Sequence, residues 1–363
     1  MPARTLPLRL DPLPDEALGS WLETYAHRLQ ATLGDLAIAL GLPTTDREHP
    51  SRMLAHAPDW TVSLHTSEAA SIAAACGISP AALHSLTLTR FDGRAVHVDT
   101  ERRRVRYRLW ARTEGSRFCP SCLHESDGRW PLNWRLSWSF ACPIHQCLLV
   151  DTCPRCDRPA RTAGVALGFV PHPGHCARSI GGARGREAAR CGADLTAAPA
   201  LALDDGHPVL EAQQILWHVL DRPTANFGIY KAVPEPVTTM LTDLAFLGRR
   251  VLHDASIDDL ASRLPADVLA QYVRDRDGRS PRQPIHPPDR ASLVAVTVTA
   301  ALHALRIADT RTAGHDLRWL FKDPQSPPAT ELSIPLKRAL RPPEPPRRRG
   351  LRWPPRWRDQ PAV

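Results

Sequence analysis

Apolar positions recur at helical spacing through most of the chain. Between Glu16 and Leu29 the apolar residues are Leu18, Trp21, Leu22, Tyr25 and Leu29, an i, i+3, i+4, i+7 stripe that predicts an amphipathic helix. A second helical piece runs from Gly34 to Leu40 and stops at Gly41 and Pro43. Ser67–Cys76 and Pro80–Leu88 predict a helix pair, with Ser67 capping the first, Gly77 in the turn, Ser79 capping the second and Pro80 at its first position. This pair has the outline of a helix-turn-helix, but an ordinary helical hairpin fits it better, because the second helix offers only His84, Ser85 and Arg90 to reach base edges. Helical spacing returns at His207–Asp221, Val237–Leu252, Ser256–Val273 and Asp289–Leu305, with Ser256 and Asp259 as a capping box and Pro265 splitting the third stretch.

Residues 101–200 break the pattern. They carry little helical periodicity and hold eight of the nine cysteines. Cys119-Pro-Ser-Cys122 is followed by Cys142-Pro-Ile-His145, two short knuckles of the kind that bring four soft or borderline donors to one tetrahedral zinc. A third knuckle, Cys153-Pro-Arg-Cys156, takes its partners downstream. Cys176 and Cys191 are the expected ones, with His172 and His175 competing, across a Gly- and Arg-rich stretch that can loop out. Two structural Zn2+ ions are therefore expected, and Cys147 and Cys76 are left as buried thiols. Trp130, Trp134 and Trp138, four apart, suggest a row on one helix face packed into a core. Arg102, Arg103, Arg104, Arg106, Arg108 and Arg112 alternate with Val105, Tyr107 and Leu109. This suggests a strand with one basic face, which serves either to contact phosphates or as a solvated, salt-bridged surface.

Composition sharpens this picture. The chain has 363 residues with a formal charge of +8, and only three of its 46 basic residues are lysine. The segment from Pro324 onward holds nine basic residues against three acidic ones, together with eleven prolines. Most of the excess charge therefore sits in a tail whose Pro-Pro steps oppose helix formation, and the remaining body is nearly neutral. Affinity for a polyanion has to come from local arginine strips or the tail, because a nearly neutral body lacks a general basic coat. No apolar run is long enough to span a bilayer, and the first 18 residues lack a signal-peptide core, so a cytoplasmic protein without membrane contact is expected. The phosphate loop, the HExxH zincin motif, the nucleophile elbow and the dinucleotide fingerprint are all missing from the sequence, which argues against an enzyme.

The fold expected is mainly α with small irregular zinc-binding modules. Residues 1–100 form an N-terminal helix-turn-helix-like domain, 101–200 tandem zinc fingers, 204–322 a C-terminal helical domain, and 323–363 a disordered Pro/Arg-rich tail. The order Leu6-Pro7, Pro12, Glu16, Ser20-Trp21-Leu22, Cys119-Pro-x-Cys122-Leu123, Trp130, Trp134, Cys142-Pro143-x-His145, Leu149, Cys153-Pro154-x-Cys156 and Cys191-Gly192-x-Asp194-Leu195 closely resembles the TniQ family over roughly residues 6–195. The resemblance implies an accessory protein of heteromeric DNA transposons acting in target-site selection. Its implied partners are an AAA+ ATPase that recruits the transposase and target DNA, met directly or through a CRISPR-type guide complex; a homodimer is compatible with it. The long interval between Cys176 and Cys191 and the basic tail depart from the family pattern. A zinc-containing transcription regulator unconnected with transposition would share the same helix pair and tail.

Overall fold

In the computed structural model, the residues described are 6–44, 60–108, 110, 115–161, 167–180, 189–278, 288–321 and 331–341. Twelve helices and three two-stranded sheets are formed among them. The N-terminal part contains α1 (Leu18–Arg28), α2 (Leu33–Ala39), α3 (Thr66–Cys76) and α4 (Pro80–Ser85). Capping sets their limits: Thr32 and Asp35 form a capping box on α2, His65 and Glu68 one on α3, and the Ser79 hydroxyl accepts from Ala82 N on α4. The α3 cap is thus His65, two residues before the expected Ser67. Gly77 ends α3 in the left-handed region at φ 73°, a conformation that disfavours a Cβ. Leu18, Trp21, Leu22 and Tyr25 face α2 and α3 in one buried cluster, as the stripe predicts.

β1 (Val96–Asp99) and β2 (Arg104–Arg108) pair antiparallel, so residues 100 and 101 lie in the turn of a single hairpin. The cysteine-rich region that follows holds α5 (Pro120–Glu125), β3 (Ala141–Cys142) and β4 (Cys147–Leu148). The three tryptophans there do not share a helix. A one-turn 3-10 segment at Leu132–Arg135, flanked by Pro131, replaces the expected row. Trp130 meets Trp134 edge-on among the cysteines, whereas Trp138 stacks on Trp110 in the larger core cluster shared with the C-terminal helices. All three are core residues, but they serve two different cores.

The C-terminal part contains α6 (Pro208–Leu220), β5 (Thr224–Ala225), β6 (Glu235–Pro236), α7 (Val237–Asp254), α8 (Ile257–Ala261), α9 (Ala266–Asp277), α10 (Ala291–Leu305) and α11 (Thr310–Asp316). The Ser256–Asp259 box starts α8, and Pro265 separates α8 from α9. Helix α10 is buried on nearly every side, with α6, α7 and α9 around it; this accounts for its almost uniformly apolar sequence. No helix among the described residues is long and apolar enough to cross a membrane.

One part of the Pro/Arg-rich segment departs from the disordered tail expected from residue 323. Residues 331–341 carry α12 (Ile334–Ala339), begun by a Ser333 cap with Pro335 in its first turn, and Leu336 is fully buried against the domain. Proline at the start of a helix costs nothing, and Leu332, Leu336 and Ala339 supply an apolar face that the composition of the whole tail obscures. Asp243 on α7 secures this segment: its carboxylate accepts Ser333 N and the Tyr230 hydroxyl, each at 2.9 Å. Burial pushes the Asp243 carboxyl up from 3.8 to about 6, against the opposing hydrogen bonds from Ser333 and Tyr230. The folded chain therefore holds a proton that the unfolded chain has already released. The group's contribution favours folding below about pH 4 and is lost as pH rises to about 6, a change of about 3 kcal/mol. Asp243→Asn should flatten that part of the stability–pH profile, measured by urea midpoints at pH 4.5, 5.5 and 7; an unchanged slope would refute the assignment.

Candidate metal centres

Two groups of four donors converge among the described residues. The first is Cys119, Cys122, Cys142 and His145, and the second is Cys153, Cys156, Cys176 and Cys191; within each, the donor atoms lie within 4.8 Å of one another. Cys119 and Cys122 are positioned by α5, which Pro120 initiates between them. Cys142 ends β3 and His145 stands on the turn between β3 and β4, and the backbone N–H of His145 donates to Cys142 Sγ at 3.4 Å. His145 Nδ1 is 3.6, 3.2 and 3.7 Å from the sulfurs of Cys119, Cys122 and Cys142, and Cys122 and Cys142 are 3.6 Å apart. Metal–sulfur bonds of about 2.3 Å at tetrahedral angles place sulfurs about 3.8 Å from each other. The donor set and its spacing therefore fit a tetrahedral ion and are compatible with zinc.

The electrostatics of the group point the same way. Hydrogen bonding from Cys122 draws the Cys119 thiol down to about 7, and Cys119 and Cys122 hold Cys142 far below the usual thiol range. In return, Cys119 and Cys142 push both Cys122 and Cys147 far above it. Without a cation the sulfurs cannot all ionise; a divalent ion removes that conflict. Burial works against charge on His145, but hydrogen bonds with Glu125 and Cys142 outweigh it and lift the imidazole to about 9. Glu125 Oε1 is 2.9 Å from His145 Nε2, so the carboxylate fixes the ring with Nδ1 toward the thiols. Glu125 was missed as part of the site by sequence reasoning; the available signal was an acid three residues beyond Cys122 on the same short helix.

The second group explains the long interval between its last two cysteines. Cys191 N donates to Arg178 O, Cys176 N to Ala193 O, and Ile180 N to Ala189 O, so residues 176–180 run antiparallel to 189–193. Cys176 and Cys191 therefore stand side by side on a hairpin-like ladder. Cys153 and Cys191 are 3.8 Å apart, as are Cys156 and Cys176. His172 and His175 are outside this set. Their rings pack against each other and His172 meets His27 of α1, with His27 Nδ1 2.8 Å from Pro171 O. Gly128, at φ +82°, lets the two metal modules touch, because a Cβ there would lie 2.1 Å from Gly174 N.

Buried ion pairs join the modules to their neighbours. Arg117, wholly buried, donates from Nε to Asp151 at 2.8 Å and from its other nitrogens to the carbonyls of Ser137, Ser139 and Asp289. Asp151 also accepts Ala291 N at 2.8 Å, at the first residue of α10. Arg129 makes a two-pronged pair with Glu16, just ahead of α1.

The arginine strip is less uniform than its sequence suggests. Arg103 has φ 51° and turns inward to a buried ion pair with Glu68, the capping-box acid of α3, which withdraws it from any phosphate. Arg102 and Arg104 are exposed. Arg106 and Arg108 lie on β2, and Arg112 is outside the described residues. On the helix pair, α4 is six residues long. Arg90 is committed to ion pairs with Asp15 and Asp221, bridging the approach to α1 and the end of α6.

Comparison with known proteins gives one family: residues 7–149 match the TniQ model. The matched stretch contains the N-terminal helices and the whole first metal group and ends before the second. No curated protein gives a significant match.

Proposed function

With residues 7–149 forming a TniQ domain, the mark of a transposition-associated target-selection protein, we propose that this chain is a non-enzymatic adaptor of a heteromeric DNA transposon. In this reading it links target DNA, bound directly or through a DNA-bound guide complex, to an AAA+ ATPase that recruits the transposase. The family match carries the reading, because it covers the N-terminal helices and the first metal group as one unit. The closed donor sets support it: four protein ligands leave no position for substrate, which suits a structural zinc at each group and leaves the metals without a catalytic task. Its test is capture of the AAA+ ATPase encoded in the same mobile element by the full-length chain, with and without target DNA. A complex that DNA strengthens is expected; none under either condition would overturn the adaptor role.

Direct DNA contact falls to the exposed arginines of the β1–β2 hairpin, Arg102 and Arg104, with Arg106 and Arg108 farther along β2. Binding should weaken steeply with salt, and an Arg102→Ala/Arg104→Ala double variant should lower the slope of log affinity against log salt by about 2. Arg103→Ala should behave differently, leaving the slope unchanged while lowering stability, since it strands the buried Glu68 carboxylate. Fluorescence anisotropy over a salt series together with thermal melts separates the two. A wild-type affinity indifferent to salt would remove this surface as a DNA contact.

A further inference from the structure

The first metal group has a fifth soft donor beside it. Cys142 and Cys147 are directly opposite each other across the β3–β4 ladder, and opposed residues in an antiparallel pair project to the same face. Cys142 faces the metal group, so Cys147 faces it as well. Cys147 Sγ is 3.8 Å from Cys119 Sγ, the separation of two sulfurs on one tetrahedral ion. Its backbone is held from both sides, by Cys142 on one flank and by a bridge to Ala202 on the other, so the sulfur is aimed by a fixed main chain. The side chain is buried and outside any disulfide.

The resident fourth donor, His145, is on the turn of the same hairpin and is oriented from outside by Glu125, whose side chain is 64% exposed. The two candidates for the fourth position therefore differ in how they are held: a histidine steadied by an exposed carboxylate, and a thiol fixed by paired backbone. From this geometry we infer that Cys147 is a reserve ligand of the first metal group, taking the fourth position when His145 leaves it and converting a three-sulfur, one-nitrogen set to four sulfurs. Each exchange replaces one metal–nitrogen bond by one metal–sulfur bond, and the Cys147 thiol proton passes to solvent. The hairpin can thus keep its ion while His145 is displaced from Glu125.

The test is Co2+ loading of the full-length chain, followed by metal content per chain and sulfur-to-cobalt charge-transfer absorption. Wild type should hold two ions, and Cys147→Ala should leave both ion number and absorption unchanged, because His145 is the resident donor. His145→Ala should still hold two ions, with absorption raised by one thiolate's worth, and His145→Ala/Cys147→Ala should hold one. Glu125→Ala, at an exposed side chain that spares the fold, should raise the absorption in part. The inference fails if His145→Ala holds one ion, or if neither it nor Glu125→Ala gains thiolate absorption; Cys147 then only donates an S–H to Cys119. It also fails if Cys147→Ala alone loses absorption, which would make Cys147 the resident ligand. A wild-type chain that takes up no metal would overturn the metal reading itself, an outcome distinct from all of these.

Discussion

Strong chelation is expected to unfold residues 115–200 while leaving the C-terminal helices folded. The two parts are built from different material. Around α10 the core is a large apolar cluster with no cysteine in it. In the core cluster around the donor groups, six of the fourteen buried apolar residues are cysteines, five of them in the two donor groups, and only a few large side chains such as Phe118, Leu123, Trp130 and Trp134 accompany them. Without ions those sulfurs have no partner for their charge, and the strands that carry them are two residues long, too short to persist alone. Structural zinc contributes on the order of 10 kcal/mol per site in small metal domains. Removal should therefore abolish the near-ultraviolet signal of Trp130 and Trp134, whereas the far-ultraviolet helical signal should fall by a minor fraction; added Zn2+ should restore both. A melting curve and tryptophan signal unchanged after metal content has been shown to be nil would overturn the structural role.

What was legible in the sequence divides along the same line. Helices that bury one face announce themselves by spacing, and α1, α6, α7 and α10 begin and end within a few residues of where their stripes and caps place them. The knuckle cysteines were legible because two-residue spacing has a chemical reason. The partners of the third knuckle were harder, since Cys176 and Cys191 are united by a backbone ladder that leaves no periodic trace in side-chain type. The tryptophan row misled because a spacing of four is also produced by a Pro131 turn and a 3-10 segment. Arg103 misled more instructively: its sequence neighbours are exposed arginines, and only the positive φ at that residue and the distant Glu68 turn it inward. Long-range pairing of this kind, like Cys147 opposite Cys142, has no local signature. Helix α12 was hidden for a different reason, because a short apolar face is diluted in a segment read by its overall proline and arginine content.

Glu16→Ala is expected to cost about 3–5 kcal/mol, far more than loss of an exposed carboxylate, because it strands a buried guanidinium. Glu16 accepts Arg129 on both carboxylate oxygens, and it also accepts the Ser20 hydroxyl at 2.8 Å and Leu13 N at 3.0 Å. Ser20 in turn accepts Trp130 N at 2.8 Å, while Arg129 reaches the carbonyl of Asp11. Trp21, next in the chain, donates its indole N–H to Leu10 O. The Glu16, Ser20, Trp21 pattern at the front of α1 is therefore a latch: the acid and the hydroxyl hold the segment between the first two knuckles, and the indole holds the approach to the helix. Glu16→Gln keeps the acceptor and the shape but not the charge, and should fall between wild type and Glu16→Ala. Pairing Glu16→Leu with Arg129→Met removes both charges and fills the space with apolar side chains, so the double variant should recover more than half of the loss seen with Glu16→Ala. Chemical denaturation of the metal-loaded chain, read at α1 and at Trp130, measures each term. If Glu16→Ala costs less than about 1 kcal/mol, or the double variant is no better than the single, the helices and the first metal module are held together by apolar packing instead, and the latch has no energetic role.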